Sequence, residues 1–201
     1  MPDFSLAHLL DAVGGSEEQL LSVNLVRLSG LSLTGSLDRL ELVTQIHTLF
    51  LNSNQLTSLQ GVEVCSRLRY LDVSFNSLSS LEPCSTLHQL ELLDARSNAI
   101  TEVRSKEGAL LLPPSLRMLN LAGNPCSQQP EYRTQALLLQ PDLVELDRER
   151  NAARAGSSSR SSINSSGSAA GGGEEGTSLS AIAAGVVARS KARQAESSGG
   201  Q

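Results

Sequence analysis

The side chains that most often carry catalysis are few and scattered in this sequence. Its histidines, His8, His47 and His88, are isolated from one another. The chain contains no phosphate loop of the form G-x-x-x-x-G-K-[ST], no H-E-x-x-H zinc motif and no G-x-S-x-G nucleophile motif. An enzyme would need a nucleophile and a base in a pattern that the sequence does not display. We therefore expect a non-enzymatic protein with no metal and no cofactor.

The cysteines indicate neither a disulfide framework nor a zinc site. Cys65, Cys84 and Cys126 are odd in number, widely spaced and free of any C-x-x-C pair. This usage is typical of a reducing compartment. We expect Cys65 and Cys84 to be small apolar core residues, and Cys126, which follows a proline, to be partly exposed.

Charge and hydropathy limit the partners of the chain. Residues 1–147 carry nine Lys and Arg against 17 Asp and Glu, whereas residues 148–201 carry seven against four. An acidic domain is poorly suited to neutralise phosphates, so no direct nucleic-acid binding is expected. Asp3 and Asp11 stand where a signal peptide would need basic residues, and no apolar run approaches the ~20 residues of a membrane span. These features predict a soluble intracellular protein without a membrane contact.

Leucine dominates the composition and recurs with a fixed period. It occupies 36 of 201 positions, and 35 of these precede residue 148. Asn54, Asn76 and Asn98 are 22 residues apart, Asn124 follows after 26, and each has the same place in the pattern L-x-x-L-x-L-x-x-N-x-L. A degenerate first copy has Leu31 in the asparagine position. Five copies in phase predict a leucine-rich repeat.

The spacing within each copy predicts an α/β solenoid. The central L-x-L alternates with period two, which is typical of a short strand with one buried face. Stacked coils place these strands in a short parallel sheet, which lines the concave side. Each asparagine amide can bond backbone groups of adjacent turns, and the return segments pack 3₁₀ or short helical turns behind the sheet. One coil cannot bury its leucines alone, so the coils share a continuous core.

A solenoid needs a cap at each end. Residues 4–12 show helical spacing of apolar side chains, and residues 130–140 are predicted to form a helix that ends before Pro141. The predicted divisions are an N-terminal helical cap at 1–22, about five repeats at 23–125, a C-terminal cap at 126–147 and a tail at 148–201.

The tail has a different composition. Ser, Gly and Ala make up 33 of the 51 residues from 151 to 201, too little apolar surface to offset chain entropy, so we expect disorder. A short helix at 178–193 that forms on binding a partner is the one exception that we predict. Its apolar residues at helical spacing are Leu179, Ile182, Ala183, Val186 and Val187.

The segment after the last repeat resembles a known element. It reads N-P-x6-Y-R-x7-P-x-L-x-x-L-D from Asn124 to Asp147. This run resembles the C-terminal cap of small intracellular proteins with 22-residue leucine-rich repeats, and the resemblance covers roughly residues 20–147. It implies that Tyr132 packs on the final repeat and that Asp147 fixes the cap.

The resembling family implies an adaptor function. Its members include a phosphatase regulatory subunit, the spliceosomal U2 A-prime protein, an outer-arm dynein light chain and acidic nuclear phosphoproteins. The stretch from Pro114 to Arg133 is similar in particular to small ciliary members. This similarity implies a role in a cytoskeletal assembly in the cytoplasm, such as that of a cilium or flagellum. The alternatives are a nuclear spliceosomal scaffold and a phosphatase regulator, although the latter needs more repeats. The acidic tail of the nuclear phosphoproteins is absent.

The outer face of the sheet carries the candidate site. The third, fifth and seventh positions of each copy alternate with buried leucines, and four of the five third positions are apolar or amphipathic. A solvated sheet would be uniformly polar, so we predict a surface for a helix or loop of another protein, with Tyr70, Phe50 and Leu92 as exposed anchors. The alternative is that these apolar residues have no binding role, because they are incidental surface residues or are covered by the cap helix or the tail. We expect a monomer. The predicted partner-binding residues are Arg27, Phe50, Asn52, Tyr70, Asp72, Leu92, Asp94, Arg96, Met118 and Asn120.

Overall fold

The repeats form one sheet whose strands follow the order of the chain. This computed structural model describes residues 4–15, 17–103 and 112–151. The predicted helix at 178–193 lies outside the described residues. Strands β1 to β6 are parallel in register, and β7 runs antiparallel to β6. The strands are β1 Leu25–Arg27, β2 Thr48–Phe50, β3 Tyr70–Asp72, β4 Leu92–Asp94, β5 Met118–Asn120, β6 Glu145–Leu146 and β7 Glu149–Arg150.

The main core lies between this sheet and the return segments. The central residue of each of the first five strands is fully buried, as the period-two pattern predicts. The return segments form 3₁₀ helices, and their leucines, valines and cysteines fill the other side of the core. These 3₁₀ helices are Asp38–Val43, Val62–Val64, Glu82–Thr86 and Pro125–Gln128.

The repeated asparagines join neighbouring coils, as the sequence predicts. The Oδ1 atom of Asn76 accepts a hydrogen bond from the backbone N–H of Leu56 at 3.0 Å. Its Nδ2 atom donates to the carbonyl oxygens of Leu51 and Val73, both at 3.0 Å. These bonds satisfy buried backbone groups that no strand pairing reaches. The same pattern recurs at Asn54, Asn98 and Asn124.

The N-terminal cap consists of two short helices, α1 Leu6–Val13 and α2 Glu17–Leu20. At the start of α1, the backbone N–H of Ser5 donates to Nδ1 of His8 at 3.2 Å, which gives this histidine a structural role. The helix ends at Val13 and is followed by Gly14, whose φ of 99° is accessible to glycine without strain. The predicted amphipathic helix before the first coil is therefore present.

The C-terminal cap contains α3, Tyr132–Leu139, and the two last strands. Tyr132 is buried in the main core, and Oδ1 of Asp147 accepts from the backbone N–H of Leu121 at 2.6 Å. The cap also continues beyond its predicted end at residue 147. Strand β7 pairs with β6, and Nδ2 of Asn151 donates to the carbonyl of Leu143 at 3.0 Å. This hairpin covers the last parallel edge, which an uncapped sheet would leave open.

All three cysteines are buried free thiols. The prediction that Cys126 is partly exposed is wrong, because the 3₁₀ helix that contains it packs against the core. Burial raises the pKa of Cys65 and Cys84 to about 12, with a smaller contribution from the negative charge of Glu63. Burial likewise raises the pKa of Cys126 to about 11. None of the three is a ready nucleophile.

Candidate protein-binding surface

The face of the sheet opposite the main core presents three rows of side chains, because successive residues of a strand point to opposite faces. We call it the concave face, since this face of a curved solenoid lines its inner side. All ten predicted site residues lie on it. The first row is Leu25, Thr48, Tyr70, Leu92, Met118 and Glu145; the second is Arg27, Phe50, Asp72, Asp94 and Asn120; the third is Ser29, Asn52, Ser74, Arg96 and Ala122.

The apolar residues of this face form a second hydrophobic cluster that is separate from the main core. Phe50, Tyr70, Leu92 and Met118 pack together, with Leu25 against them. The rings of Phe50 and Tyr70 lie 5.1 Å apart between centroids at an interplanar angle of 49°. We name this set the apolar cluster.

The prediction that Phe50, Tyr70 and Leu92 are exposed anchors is wrong in its degree of exposure. These side chains are only 3–7% exposed. Adjacent strands are about 4.8 Å apart, so side chains in one row cover each other's flanks. The residues occupy the predicted face, but a partner would reach their tips and not their sides.

Two carboxylates lie side by side in the second row. Asp72 and Asp94 are register partners on β3 and β4. Oδ1 of Asp72 accepts from the hydroxyl of Ser74 at 2.7 Å, and Oδ1 of Asp94 accepts from the backbone N–H of Arg96 at 3.2 Å. Burial raises the pKa of Asp94 above its ordinary value, and the charge of Asp72 raises it further. Arg96 opposes this shift, and its Nη1 lies 3.8 Å from Oδ2 of Asp94.

The edge of the face near the N-terminal cap is cationic and polar. The guanidinium of Arg27 lies over the Phe50 ring, with Cζ 4.3 Å from the ring centroid. Arg27 is exposed, so its charge remains available to a partner. Asn52 is half-buried, and its Oδ1 accepts from the hydroxyl of Ser29 at 2.6 Å.

Several polar atoms of this face are buried without a hydrogen bond in the described part of the chain. They are Oγ1 of Thr48, Nε of Arg96 and Nδ2 of Asn120. Asn120 retains one bond, since its Oδ1 accepts from the backbone N–H of Ala122 at 3.2 Å.

Sequence reasoning missed one residue, Phe75, at the border of this face. It is 50% exposed, and the Arg96 guanidinium lies 5.2 Å from its ring centroid. Its φ is 56°, a left-handed conformation that a bulky residue rarely adopts. The equivalent positions of neighbouring repeats hold Ser53 and Ser97, also at positive φ. The signal in the sequence was an aromatic residue directly before the repeat asparagine, where the other copies have small residues.

The rest of the described surface offers little chemistry. Within residues 4–15, 17–103 and 112–151, no group of three or more potential ligands converges on a metal site. In the same ranges, no helix has the length and hydropathy needed to cross a membrane. A cavity of about 260 Å³ lies between Val103 and α3, and it borders Cys126, whose thiol is protonated at neutral pH. Nδ1 of His47 forms a hydrogen bond with Oδ1 of Asn24 at 3.1 Å, beside β2.

Comparison with known proteins supports the fold. A family model described as Leucine Rich Repeat matches residues 67–88, the repeat that contains β3. The comparison with curated proteins gives no match.

Two solved structures have similar folds. One chain of the crystal structure of the Drosophila melanogaster SNF/U2A' complex is 21% identical, with a TM-score of 0.59 over 75% of this chain and 86% of that one. A leucine-rich repeat protein of Leptospira interrogans is 23% identical, with a TM-score of 0.53 over 65% of this chain. The present chain spans only 33% of the Leptospira chain. These likenesses, the matched repeat and the observed sheet together show that the chain has the α/β solenoid fold of a leucine-rich repeat protein.

Proposed function

We propose that this chain is a non-enzymatic adaptor that binds a helix or loop of another protein on its concave face. Leucine-rich repeat domains generally use such extended inner surfaces for protein–protein interaction. The observation that carries the proposal is the composition of this face: an apolar cluster and a carboxylate pair lie in its adjacent rows, and the exposed Phe75 lies at its border.

The covered flanks of the apolar cluster define how a partner would bind. Because the rings and aliphatic chains support one another, they present a pre-organised surface and lose little rotamer entropy on binding. Affinity would come from the tips of the cluster and from Phe75, whereas Arg27 and Asp72 at the rim would set orientation and association rate. The orphan polar atoms would gain partners if docking shifts the side chains that cover them.

Quantitative co-purification from a native extract tests this proposal. The variant Tyr70→Ala/Asp94→Ala removes a ring and a carboxylate from the face, and we expect at least a fivefold loss of the specific partners. Both residues are nearly buried, so this variant can also lose stability. Phe75→Ser therefore accompanies it, because serine stands at the equivalent positions of neighbouring repeats.

Matched controls fix the interpretation. Val64 is an exposed apolar residue in the 3₁₀ helix Val62–Val64, on the opposite side of the main core. Val64→Ser should retain every partner that Phe75→Ser loses. Unchanged recovery with both concave-face variants, each confirmed as folded by its thermal midpoint, would refute the proposal.

We further propose a cytoskeletal assembly, ciliary or flagellar, in the cytoplasm as the setting, with the protein acting as a monomer. The second candidate is a nuclear scaffold for a spliceosomal protein, and what favours it is the 86% coverage of a chain from the SNF/U2A' structure. Phosphatase regulation is a third setting. The location of a tagged copy separates the cilium, the nucleus and the diffuse cytosol.

A further inference from the structure

We propose that residues 178–193 of the chain's own tail dock on its concave face and compete there with the partner. This inference rests on the proposed function, since it takes the concave face to be a surface for amphipathic segments. It gives the protein a built-in competitor, which a partner must displace before it can bind.

The segment has the chemistry that this face would recognise. Between Ser178 and Arg193 there are three basic residues and no acidic one. Its apolar residues have the i, i+3, i+4, i+7, i+8 spacing of one helix face, and the basic residues follow at the C-terminal end of that stripe. Such a segment is typical of helices that lie in an apolar groove with an acidic rim. The apolar residues are Leu179, Ile182, Ala183, Val186 and Val187, and the basic ones are Arg189, Lys191 and Arg193.

The concave face offers the complementary arrangement. The apolar cluster fills most of the first row, and the carboxylates of Asp72 and Asp94 are adjacent in the second row. Asp94 is only 6% exposed and lies beside a like charge, which is an unfavourable environment for its carboxylate. Arg96 opposes this repulsion only in part, and a further cation placed against the pair would offset what remains. The solenoid is acidic and the tail is basic, so long-range attraction acts in the same direction.

The last described residues, Arg150 and Asn151, lie next to the first row of the concave face. The backbone N–H of Asn151 donates to the carbonyl of Val144 at 2.8 Å, and Arg150 pairs in register with Glu145. Glu145 is the last member of the first row. The last described residues therefore lie beside the row that contains the apolar cluster.

The connecting sequence is long enough to reach. Residues 152–177 supply 26 residues of mainly Ser, Gly and Ala between the last strand and the segment. A chain of this composition and length has a root-mean-square span of roughly 25–30 Å. The distance from β7 across the sheet to β3 is about 20 Å at the usual strand spacing. A tether whose span matches the distance gives an effective concentration on the order of millimolar, so even a weak contact would be populated.

The full-length protein contains its own reporter for the test. Met118 belongs to the apolar cluster, so its ¹³C-labelled methyl group reports on the concave face. Ser190→Cys places a spin label among the basic residues of the segment, and the native thiols are buried and do not compete for the label. We expect the Met118 methyl signal to be at least threefold weaker with the oxidised label than with the reduced label.

Matched variants identify the contact. Asp72→Asn/Asp94→Asn removes both charges and keeps the oxygen atoms that accept hydrogen bonds, and Val186→Asp interrupts the apolar stripe; each should restore the signal. Glu41→Gln/Glu82→Gln makes the same charge change on exposed residues of two 3₁₀ helices, and the signal should stay weak.

Three outcomes would overturn the inference. The first is a Met118 signal that the spin label does not weaken, and the second is a weakening that persists in both disrupting variants. The third comes from a mixture of two proteins, one with only the spin label and the other with only the ¹³C label. An equal weakening in that mixture would assign the contact to a second copy of the chain. None of them touches the partner hypothesis, which the co-purification experiment tests separately. If the co-purification experiment refutes the partner hypothesis, the Met118 signal still shows whether the tail contacts the concave face.

Discussion

Asp94 shows how a single side chain connects the fold to the surface. Its position on β4 turns it away from the main core, yet neighbouring rows cover it until only 6% is exposed. Burial and Asp72 both disfavour its charge, while the backbone N–H of Arg96 and the Arg96 guanidinium favour it. The unfavourable contributions are larger, so the pKa of Asp94 is raised. An ionised carboxylate in this environment lowers the stability of the folded protein.

The raised pKa of Asp94 predicts a pH-dependent stability difference between the wild type and Asp94→Asn. Above the ordinary value of 3.8, the folded protein holds the Asp94 proton more tightly than the unfolded chain does. The contribution of the Asp94 carboxyl group to the free energy of unfolding therefore falls as the pH rises above 3.8. We expect the free energy of unfolding of Asp94→Asn to increase relative to that of the wild type between acid and neutral pH. Urea unfolding at several pH values measures this difference. A difference that is constant with pH, or that changes in the opposite direction, would contradict this account.

At this scale the sequence predicts position better than exposure. The period-two alternation places Phe50, Tyr70 and Asp94 on the correct face, because side-chain direction follows from backbone geometry alone. Exposure depends on neighbours in other coils, which are 22 residues away in sequence and in contact in space. Phe75 was missed for a related reason, since its left-handed conformation is a property of the turn and not of any periodicity.

Gly61, in the return segment after β2, limits how closely two neighbouring coils can stack. Gly61 precedes the 3₁₀ helix Val62–Val64 with a φ of 101°. A Cβ atom there would lie 2.5 Å from the carbonyl carbon of Leu37 and 2.8 Å from the backbone nitrogen of Asp38. Backbone of the preceding coil occupies that space, so the glycine is required for close stacking.

Gly61→Ala therefore should destabilise the protein by about 3 kcal/mol, through both the positive φ and the clash with rigid backbone. Gly30→Ala is the matched control, since Gly30 also has a positive φ of 70° but no atom within 4 Å of its Cβ position. We expect it to cost only about 1 kcal/mol. Chemical denaturation of both variants measures the difference. Equal losses would show that the contact between coils at Gly61 contributes nothing.

The first five strands could be predicted from the sequence, and the terminal hairpin of β6 and β7 could not. Each of β1 to β5 lies in an L-x-L motif that repeats, so every copy reinforces the others. Strands β6 and β7 have two residues each, and no period can be recognised in so short a segment. The turn between them has Asp147 and Arg148 at positive φ, which composition does not indicate.

The described part of the chain is a stack in which each coil contacts mainly its neighbours. Stability in such a stack is the sum of coil and interface contributions, and the ends open more readily than the middle. The three buried thiols lie at different positions along the stack and can report how readily each part of it opens. Cys65 and Cys84 lie in central coils, whereas Cys126 lies beside the C-terminal cap.

Thiol labelling with detection by mass spectrometry should follow that order, with Cys126 reacting before Cys65 and Cys84. Asp147→Ala removes the bond to the backbone N–H of Leu121 and should accelerate labelling of Cys126 by about tenfold or more. Cys65 should be unaffected, because it lies several coils away. Equal acceleration at all three thiols would indicate that the solenoid opens only as a single unit.

The central claim is that the concave face of this stack is its binding surface, and site-specific photo-crosslinking in native extract tests it most directly. A photoreactive amino acid replaces Asn52 or Ala122 in the third row, or Glu82 or Arg67 in the return segments as matched controls. We predict that the third-row positions capture the same distinct partner proteins and that the controls capture none of them. Crosslinks that form from the return segments, with none from the third row, would contradict the claim.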